Sequence, residues 1–494
     1  MPVVASSAPV GASPTSGAAG SPTEVNVSND PAHRYGEPEI AIDPKNPNHL
    51  VYAVLTMGTT YACQRANRPA CQGVNTAYAP QPRGLIDDVP AFSQVRVYVS
   101  LDRGKTWRRS ADVPAFPPGH TDLVERGDPL ITAGPDGTFY LAWDDIHFAN
   151  LPTTIIRDAG IAVSKSTDGG RTWSKPVLTG TPVDRPFFAA DLSTGMIYET
   201  STGALGANSK ADQNLPPSPI GGPGNDRWLV ASRDGRHWSD PKPFGGVAAF
   251  PPGTFVSAAR GVFATAFATT NAGLCGGRAS CTVFQTTTDA AATWSRHVLP
   301  VAAGSTSAPL VAADPSTSGH FAVAGLNPTG TQFVVYQTRD AGTTWTGPTI
   351  VAEDATKTHF HPWLTYSPTG VLGLMWQTNV TRGPTASGGL PAVPPREAAG
   401  EVADQAAGPP SPYNVWAATS DDGGATFNAP LQISKAESPA PQEFLPFGVG
   451  DDFSFLSLSG SYAFIAWADY RPGDRSAFFS AVKLSTFKAN ATSR

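Results

Sequence analysis

Long hydrophobic runs are missing from this chain. No apolar stretch approaches the ~20 residues that a membrane-crossing helix needs, so no membrane span is expected. Charge is scarce as well: 15% of the 494 residues are Asp, Glu, Lys or Arg, and the formal net charge is -6. A nucleic-acid partner demands a basic face for its phosphates, and this balance excludes one. Sustained helical periodicity is lacking too. Cysteine is rare, with four residues that show neither zinc-type spacing nor accompanying histidines.

What the chain has in quantity is turn formers. Its 49 glycines and 48 prolines make up about a fifth of the residues. Short apolar runs alternate with Gly, Pro, Asp and Ser clusters, the pattern of an all-β protein with many turns. Residues 1–23 carry neither a basic n-region nor a convincing hydrophobic stretch, so they form no complete signal peptide. Their Ala/Ser/Pro/Gly composition reads as a flexible linker. Residues 24–487 read as one domain with long loops at 56–92, 204–226 and 381–412, and 488–494 as a tail. The cysteines fall in two tight pairs, Cys63 with Cys71 and Cys275 with Cys281. Two local disulfides are favoured over free thiols, which implies an oxidising compartment and a secreted or cell-surface protein.

One octapeptide recurs. "STDGGRTW" at Ser166 has relatives in "SLDRGKTW" at Ser100, "SRDGRHW" at Ser232, "TTDAAATW" at Thr287, "TRDAGTTW" at Thr338 and "SDDGGATF" at Ser420. The shared acids are Asp102, Asp168, Asp234, Asp289, Asp340 and Asp422, about 50 to 66 residues apart until a gap of 82 precedes the last. Such a period marks a repeat architecture. The chemistry is that of a hairpin corner: Asp accepts backbone N–H groups just ahead of it, Gly supplies a positive φ, and Thr and Trp open the next strand. The third copy is a residue short, and Ala291 replaces a glycine in the fourth. A structural corner must recur, whereas a catalytic residue rarely does, so the six acids read as architecture.

On these six copies the chain resembles the Asp-box (bacterial neuraminidase repeat) proteins, best known from sialidases. The resemblance implies a β-propeller of four-stranded antiparallel blades, with each box at the turn between a blade's third and fourth strands. It implies no particular activity, since many functions share the fold.

A second repeat, a run–turn–run hairpin, precedes each box, as in "EPEIAIDPKNPNHLVYAV" and "DPLITAGPDGTFYLAWDD". A seventh hairpin, "DDFSFLSLSGSYAFIAWADYR", follows the last box. Seven hairpins predict seven blades, the last without a box; six blades, with one hairpin outside the ring, is the alternative. In the seven-blade reading "SAFFSAVKL" is the last blade's third strand and "TEVNVS" its fourth, which closes the ring and leaves no open sheet edge. In up-and-down blades the boxes and the tight first turns share one face of the disc. The long connections, 146–160 and 271–280 among them, share the other, where recognition usually sits.

Residues opening the first strand of each blade surround the channel mouth on that second face. Aligned on a common proline they are Glu37, Asp128, Arg185, Thr254, Ala308, His361 and Asp452. Residues ending the second strands, Asp144, Asp145, Glu199, Asp469 and Arg471, sit around them. One reading is a solvated channel with blade-locking ion pairs. The other is a ligand site, in which Glu37, Asp128 and Asp452 are the catalytic candidates and Arg185, His361, Asp144, Asp469 and Arg471 the binding candidates. Two of the acids across a sugar could serve as acid and nucleophile or acid and base. No cofactor is expected, although three clustered carboxylates could hold Ca²⁺. The expected partner is a glycan or another extracellular ligand, bound by a monomer.

The sialidase resemblance implies three arginines on the sugar's carboxylate, a Tyr–Glu nucleophile pair and an Asp acid/base, with the first arginine in a Phe/Tyr-Arg-Ile-Pro motif. The matching stretch is "YGEP": Tyr35 and Pro38 fit, Gly36 takes the arginine's place, and Glu37 adds negative charge. Arg185, Arg260 and Arg471 are the arginines open to recruitment. Two functions therefore stand, an exported glycan-directed hydrolase of sialidase type and a non-catalytic extracellular binding propeller.

Overall fold

A computed structural model of the chain describes residues 22–31, 33–59, 94–114, 123–149, 155–181, 186–202, 226–246, 256–269, 271–300, 309–327, 331–354, 356–357, 359–380, 412–439, 454–473 and 475–491. These form seven four-stranded antiparallel sheets, the blades of a propeller. Blade 1 runs His33–Asp43, Asn46–Thr59, Gln94–Ser100 and Arg108–Arg109 from the axis outward. Blade 2 is Leu123–Ala133, Phe139–Ala149, Ile155–Ser166 and Val177–Leu178. Blade 3 is Phe187–Asp191, Met196–Thr202, Asp226–Ser232 and Lys242–Gly246. Blades 4, 5 and 6 start at Val256–Ala259, Leu310–Ala313 and His359–Tyr366. Blade 7 takes Phe455–Leu458, Tyr462–Asp469 and Ser476–Lys483 from the end of the chain and Thr23–Asn26 from its beginning, with Val25 paired to Phe479. Neighbouring inner strands pack on one another around the whole ring, blade 7 on blade 1 included.

The core consists of the seams between blades. Val51, Ala53 and Val97 meet Ile131, Phe139 and Trp143 between blades 1 and 2, and Tyr52 meets Phe464 and Phe479 between blades 7 and 1. A blade sandwiched in this way buries both faces, so its second strand is a continuous apolar run rather than an alternating one. Tyr462–Asp469 shows this, buried at every residue after the first. The outermost strand of blade 1, Arg108–Arg109, faces solvent.

The six recurrent motifs form the corners between third and fourth strands. In blade 2 Ser166 Oγ donates to Asp168 Oδ1 (2.8 Å) and accepts the Gly170 N–H (2.8 Å). The Thr172 N–H and hydroxyl reach the two Asp168 oxygens at 3.0 and 2.6 Å. The short third copy reaches the same end differently, with the His237 imidazole on Asp234 Oδ2 at 2.7 Å where the others use a threonine hydroxyl. In the fourth, Ala290 and Ala291 both take positive φ, 51° and 67°.

Each corner packs on the first turn of a blade. The Arg103 N–H donates to Asn48 O (2.8 Å), and His49 bridges Asp43 Oδ2 (3.1 Å) and Gly169 O (2.9 Å). A second buried pair, His320 on Asp314 Oδ2 at 2.8 Å, lies under the corner of blade 6, where Tyr366 donates to Gly423 O (2.8 Å). These His–Asp pairs are struts between turns. Corners and first turns therefore occupy one face of the disc.

Two features differ from the sequence reading. Residues 146–160 are expected as a connection, yet second and third strands of blade 2 pair on through Ile146 with Ala159 to Ala149 with Ile155. The apolar alternation of that stretch simply continues the ladder. The chain also ends on a helix, Leu484–Ala491, whose Leu484 and Phe487 pack into the seam of blades 6 and 7.

Candidate functional site at the channel mouth

The inner strands of blades 1, 2 and 6 each carry an ionisable residue directly before proline: Glu37, Asp128 and His361. All three take positive φ, at 51°, 44° and 45°. Strand pairing skips at each: Gly36 opposes Leu55 and Glu39 opposes Ala53, Gly127 opposes Asp144 and Leu130 opposes Ala142, Phe360 opposes Gln377 and Trp363 opposes Met375. Two residues thus face one, which is a β-bulge, and proline is tolerated there because it has no N–H to give the ladder. The left-handed conformation costs about 1–2 kcal/mol for a residue with a Cβ. It also departs from the extended geometry that proline favours in its predecessor. Each bulge lies toward the end of its strand remote from the corner face, roughly 20 Å along the strand in the case of Glu37 and Asp43.

Glu37 is 3% exposed, and its Oε2 accepts the Asp128 N–H at 3.0 Å. Two residues further in, Glu39 Oε2 accepts the Ile131 N–H at 2.7 Å. Burial holds the Glu39 carboxyl well above the usual carboxylate range, against the opposing pull of that N–H. The two acids stitch together inner strands that form no ladder with each other. Asp128 and His361 are half-buried at the rim.

Aromatic rings from different blades meet near the axis. Phe187 of blade 3 stacks on Trp363 of blade 6, centroids 6.4 Å apart, and Trp363 meets Phe455 of blade 7 at 4.2 Å. Blades 3 and 6 lie across the axis in a ring of seven, so these side chains span the channel. Phe187, Trp363 and Phe455 together form an aromatic floor across the axis.

The second-strand acids are engaged. Asp145 Oδ2 accepts the Trp143 indole (3.0 Å) and faces Arg126 Nε at 3.7 Å. Asp469 repeats the arrangement, accepting the Trp467 indole (2.8 Å) and both Nε and Nη2 of Arg471 (2.9 and 2.7 Å). Arg471 Nη1 reaches Glu24 Oε1 (2.9 Å), and its guanidinium lies 4.8 Å from the centre of the Phe478 ring. Arg471 therefore ties the closing strand Thr23–Asn26 into blade 7. Asp144 is buried on the second strand of blade 2. Arg260 lies in the first turn of blade 4, on the corner face, and donates to Pro315 O and Ser316 O (both 2.8 Å). Cys275 and Cys281 are joined in a disulfide on the mouth-side connection of blade 4. Arg185, Thr254, Ala308, Asp452, Cys63 and Cys71 lie outside the described residues. Among the described residues no three His, Cys, Asp or Glu side chains converge to hold a metal ion.

Several residues at this end carry no local sequence signal. Tyr35 donates to Asp30 Oδ2 (2.7 Å), where Arg96 Nη1 (2.9 Å) and His33 Nδ1 (2.8 Å) also converge, and Arg96 bonds the Tyr35 oxygen. The cluster pins the chain where it crosses from the closing strand to blade 1. Its members, like the floor aromatics, meet only in the folded ring.

No protein-family model and no curated protein matches the chain. Among solved structures it is similar to a Hadza microbial sialidase, at 17% identity over 80% of this chain and 74% of that one, TM-score 0.43. It is similar also to a protein of unknown function from Dyadobacter fermentans, at 13% identity over 93% and 97%, TM-score 0.43. A third similar structure is Trypanosoma rangeli sialidase, at 12% identity and TM-score 0.39 over 95% of this chain and 61% of that one.

Proposed function

We propose that this propeller is an exported, monomeric member of the Asp-box, sialidase-like group whose mouth is a glycan-directed site working as a glycoside hydrolase. The observation that carries this reading is the thrice-repeated X-Pro bulge. Strain placed at equivalent positions, each time at an ionisable residue before proline, supports a working site rather than a solvated hole. Asp128 is the carboxylate placed at the rim, and Glu37 is a positioning residue that holds the Asp128 backbone. Asp452 is the candidate for the second carboxylate that glycoside cleavage requires across the sugar. His361 and Trp363, both half-buried on the inner strand of blade 6, are candidates for a polar and an apolar contact to a sugar.

A non-catalytic extracellular binding propeller is the second reading. One observation favours it: the Glu37 carboxylate is buried and already bonded to the Asp128 N–H. A panel of fluorogenic glycosides, sialosides included, separates the two. Hydrolysis by the wild-type chain that is abolished in Asp128→Asn and Glu37→Gln, with thermal stability nearly intact, supports the hydrolase. Binding on a glycan array without turnover, lost in Asp128→Asn, supports the binding module. Full activity in both variants, or glycan binding indifferent to them, removes the mouth from the function.

A further inference from the structure

A carboxyl group in the seam of blades 2 and 3 stands apart from the mouth. Glu199, on the second strand of blade 3, is fully buried, as is Thr181; Ser201 is 1% and Thr179 4% exposed. Thr179 and Thr181, which lead from the last strand of blade 2 into blade 3, form a short relay: their hydroxyls lie 2.6 Å apart, and Thr181 donates to Glu199 Oε2 at 2.8 Å. Glu199 Oε1 and the Ser201 hydroxyl have no hydrogen-bond partner.

The surroundings of the group are apolar. Glu199 pairs across the sheet with Phe188 and Val230, and Phe188 packs on Leu130, Ala142 and Ile161 of blade 2. Asp144, paired with Ile161, is on the blade 2 face turned to this seam, so among the described residues the charged group facing it from there is another acid. Among the described residues, the Thr179–Thr181 segment and blade 3 present hydroxyls and apolar side chains to it. No cation among the described residues acts on Glu199, and an unpaired carboxylate in such a place is costly.

We propose that Glu199 is an internal proton-binding site and that the proton it holds keeps blades 2 and 3 docked. Protonated, the carboxyl accepts from Thr181 through Oε2 and offers the O–H of Oε1 to the Ser201 hydroxyl or to a water beside it, which would satisfy both orphaned groups. Loss of that proton to solvent leaves an anion in an apolar seam, with Asp144 facing that seam from blade 2 and no cation among the described residues to offset it. The chemistry agrees in direction: burial pushes the Glu199 carboxyl up to about 8, with the Thr181, Thr179 and Ser201 hydroxyls pulling the other way. Because this lies above the value of about 4.5 in the unfolded chain, the native state keeps a proton that the unfolded state has released. Its contribution is whole below the lower value, declines as pH rises, and is gone above the higher one.

Thermal and denaturant unfolding of the full chain from pH 5 to 9, wild type beside Glu199→Gln, tests this at constant ionic strength. The wild-type unfolding constant should rise, relative to the variant, by about tenfold per pH unit between roughly pH 5 and 8 and then level. Amide exchange, corrected for its intrinsic pH dependence, should rise above pH 8 in Ile155–Ser166 and Met196–Thr202 but not in blade 5. At neutral pH wild type should show more infrared absorption of buried carboxylic acid than Glu199→Gln, in which the raised Glu39 remains. Parallel stability curves, equal carboxylic acid absorption in the two proteins, or stabilisation of wild type but not Glu199→Gln by K⁺ or Ca²⁺ would each overturn the proposal, the last by making the pocket a cation site.

Discussion

Removing Asp168 tests the division of the propeller into a structural and a working face. Its carboxylate accepts four hydrogen bonds, from Ser166 Oγ, the Arg171 and Thr172 N–H groups and the Thr172 hydroxyl, at 2.6 to 3.1 Å. Slight burial works against ionisation, but these donors outweigh it and hold the carboxyl at about 2 against an ordinary 3.8. The difference corresponds to about 2.4 kcal/mol, and screening at a corner exposed to water leaves roughly 1 kcal/mol of it. Asp168→Asn and Asp168→Ala should therefore each lose about 1 kcal/mol or slightly more at neutral pH. The folded value lies below the unfolded one, so the stabilisation is whole above about pH 4 and disappears as pH falls toward 2. Denaturant titrations of wild type and variants between pH 2 and 7 should show a gap that closes at the acid end. A gap that persists at pH 2 would mean that the carboxylate is not its source. Ligand affinity lost with the fold intact would place the corner on the working face, and the site described at the mouth would be wrong.

Two further perturbations address how the ring closes. A Cβ at Gly104 would lie 2.0 Å from Phe479 Cε1 at a backbone φ of 80°, so Gly104→Ala should cost about 3 kcal/mol or more through overlap and left-handed strain. A loss under 1 kcal/mol in thermal unfolding would show that corner 1 does not rest on blade 7. Arg471→Met leaves the fully buried Asp469 without its cation and releases Glu24, an expected loss of about 3 kcal/mol. Faster amide exchange at Val25 and Asn26 would report the freed closing strand, and unchanged protection there would refute the staple.

What could be read in the sequence follows the range of the bonds involved. The corners are legible because Ser166, Asp168, Gly170 and Thr172 bond to one another within seven residues, and six copies repeat the pattern. Closure by Thr23–Asn26 is legible for a related reason, since "TEVNVS" has the length and pattern of the fourth strand that the seventh hairpin and "SAFFSAVKL" need. The stitches and the floor are not. Phe187 and Trp363 stand on blades 3 and 6 and meet only once the ring has formed, and nothing near either residue says so. Arg471 and Asp469 stand out in the sequence as charges near the mouth, and only the fold shows them bonded to each other and to the closing strand.

The bulges lie between these cases. The X-Pro pairs at Glu37, Asp128 and His361 are visible in the sequence, but proline argues for an extended predecessor, and local reasoning turns each side chain the wrong way. The left-handed turn appears only where neighbours enforce it: the Asp128 N–H is fixed by Glu37, and Val54, Trp143 and Trp376 each sit alone opposite two residues. Among the described residues, blades 1, 2 and 6 keep this costlier geometry, each with a titratable residue at its apex. In blade 1 the geometry serves packing, because the buried Glu37 carboxylate is spent on the Asp128 N–H and joins two inner strands. Asp128 and His361 are half-buried at the other two apices, so replacing them, rather than Glu37, separates a ligand-facing role of the bulge from a structural one.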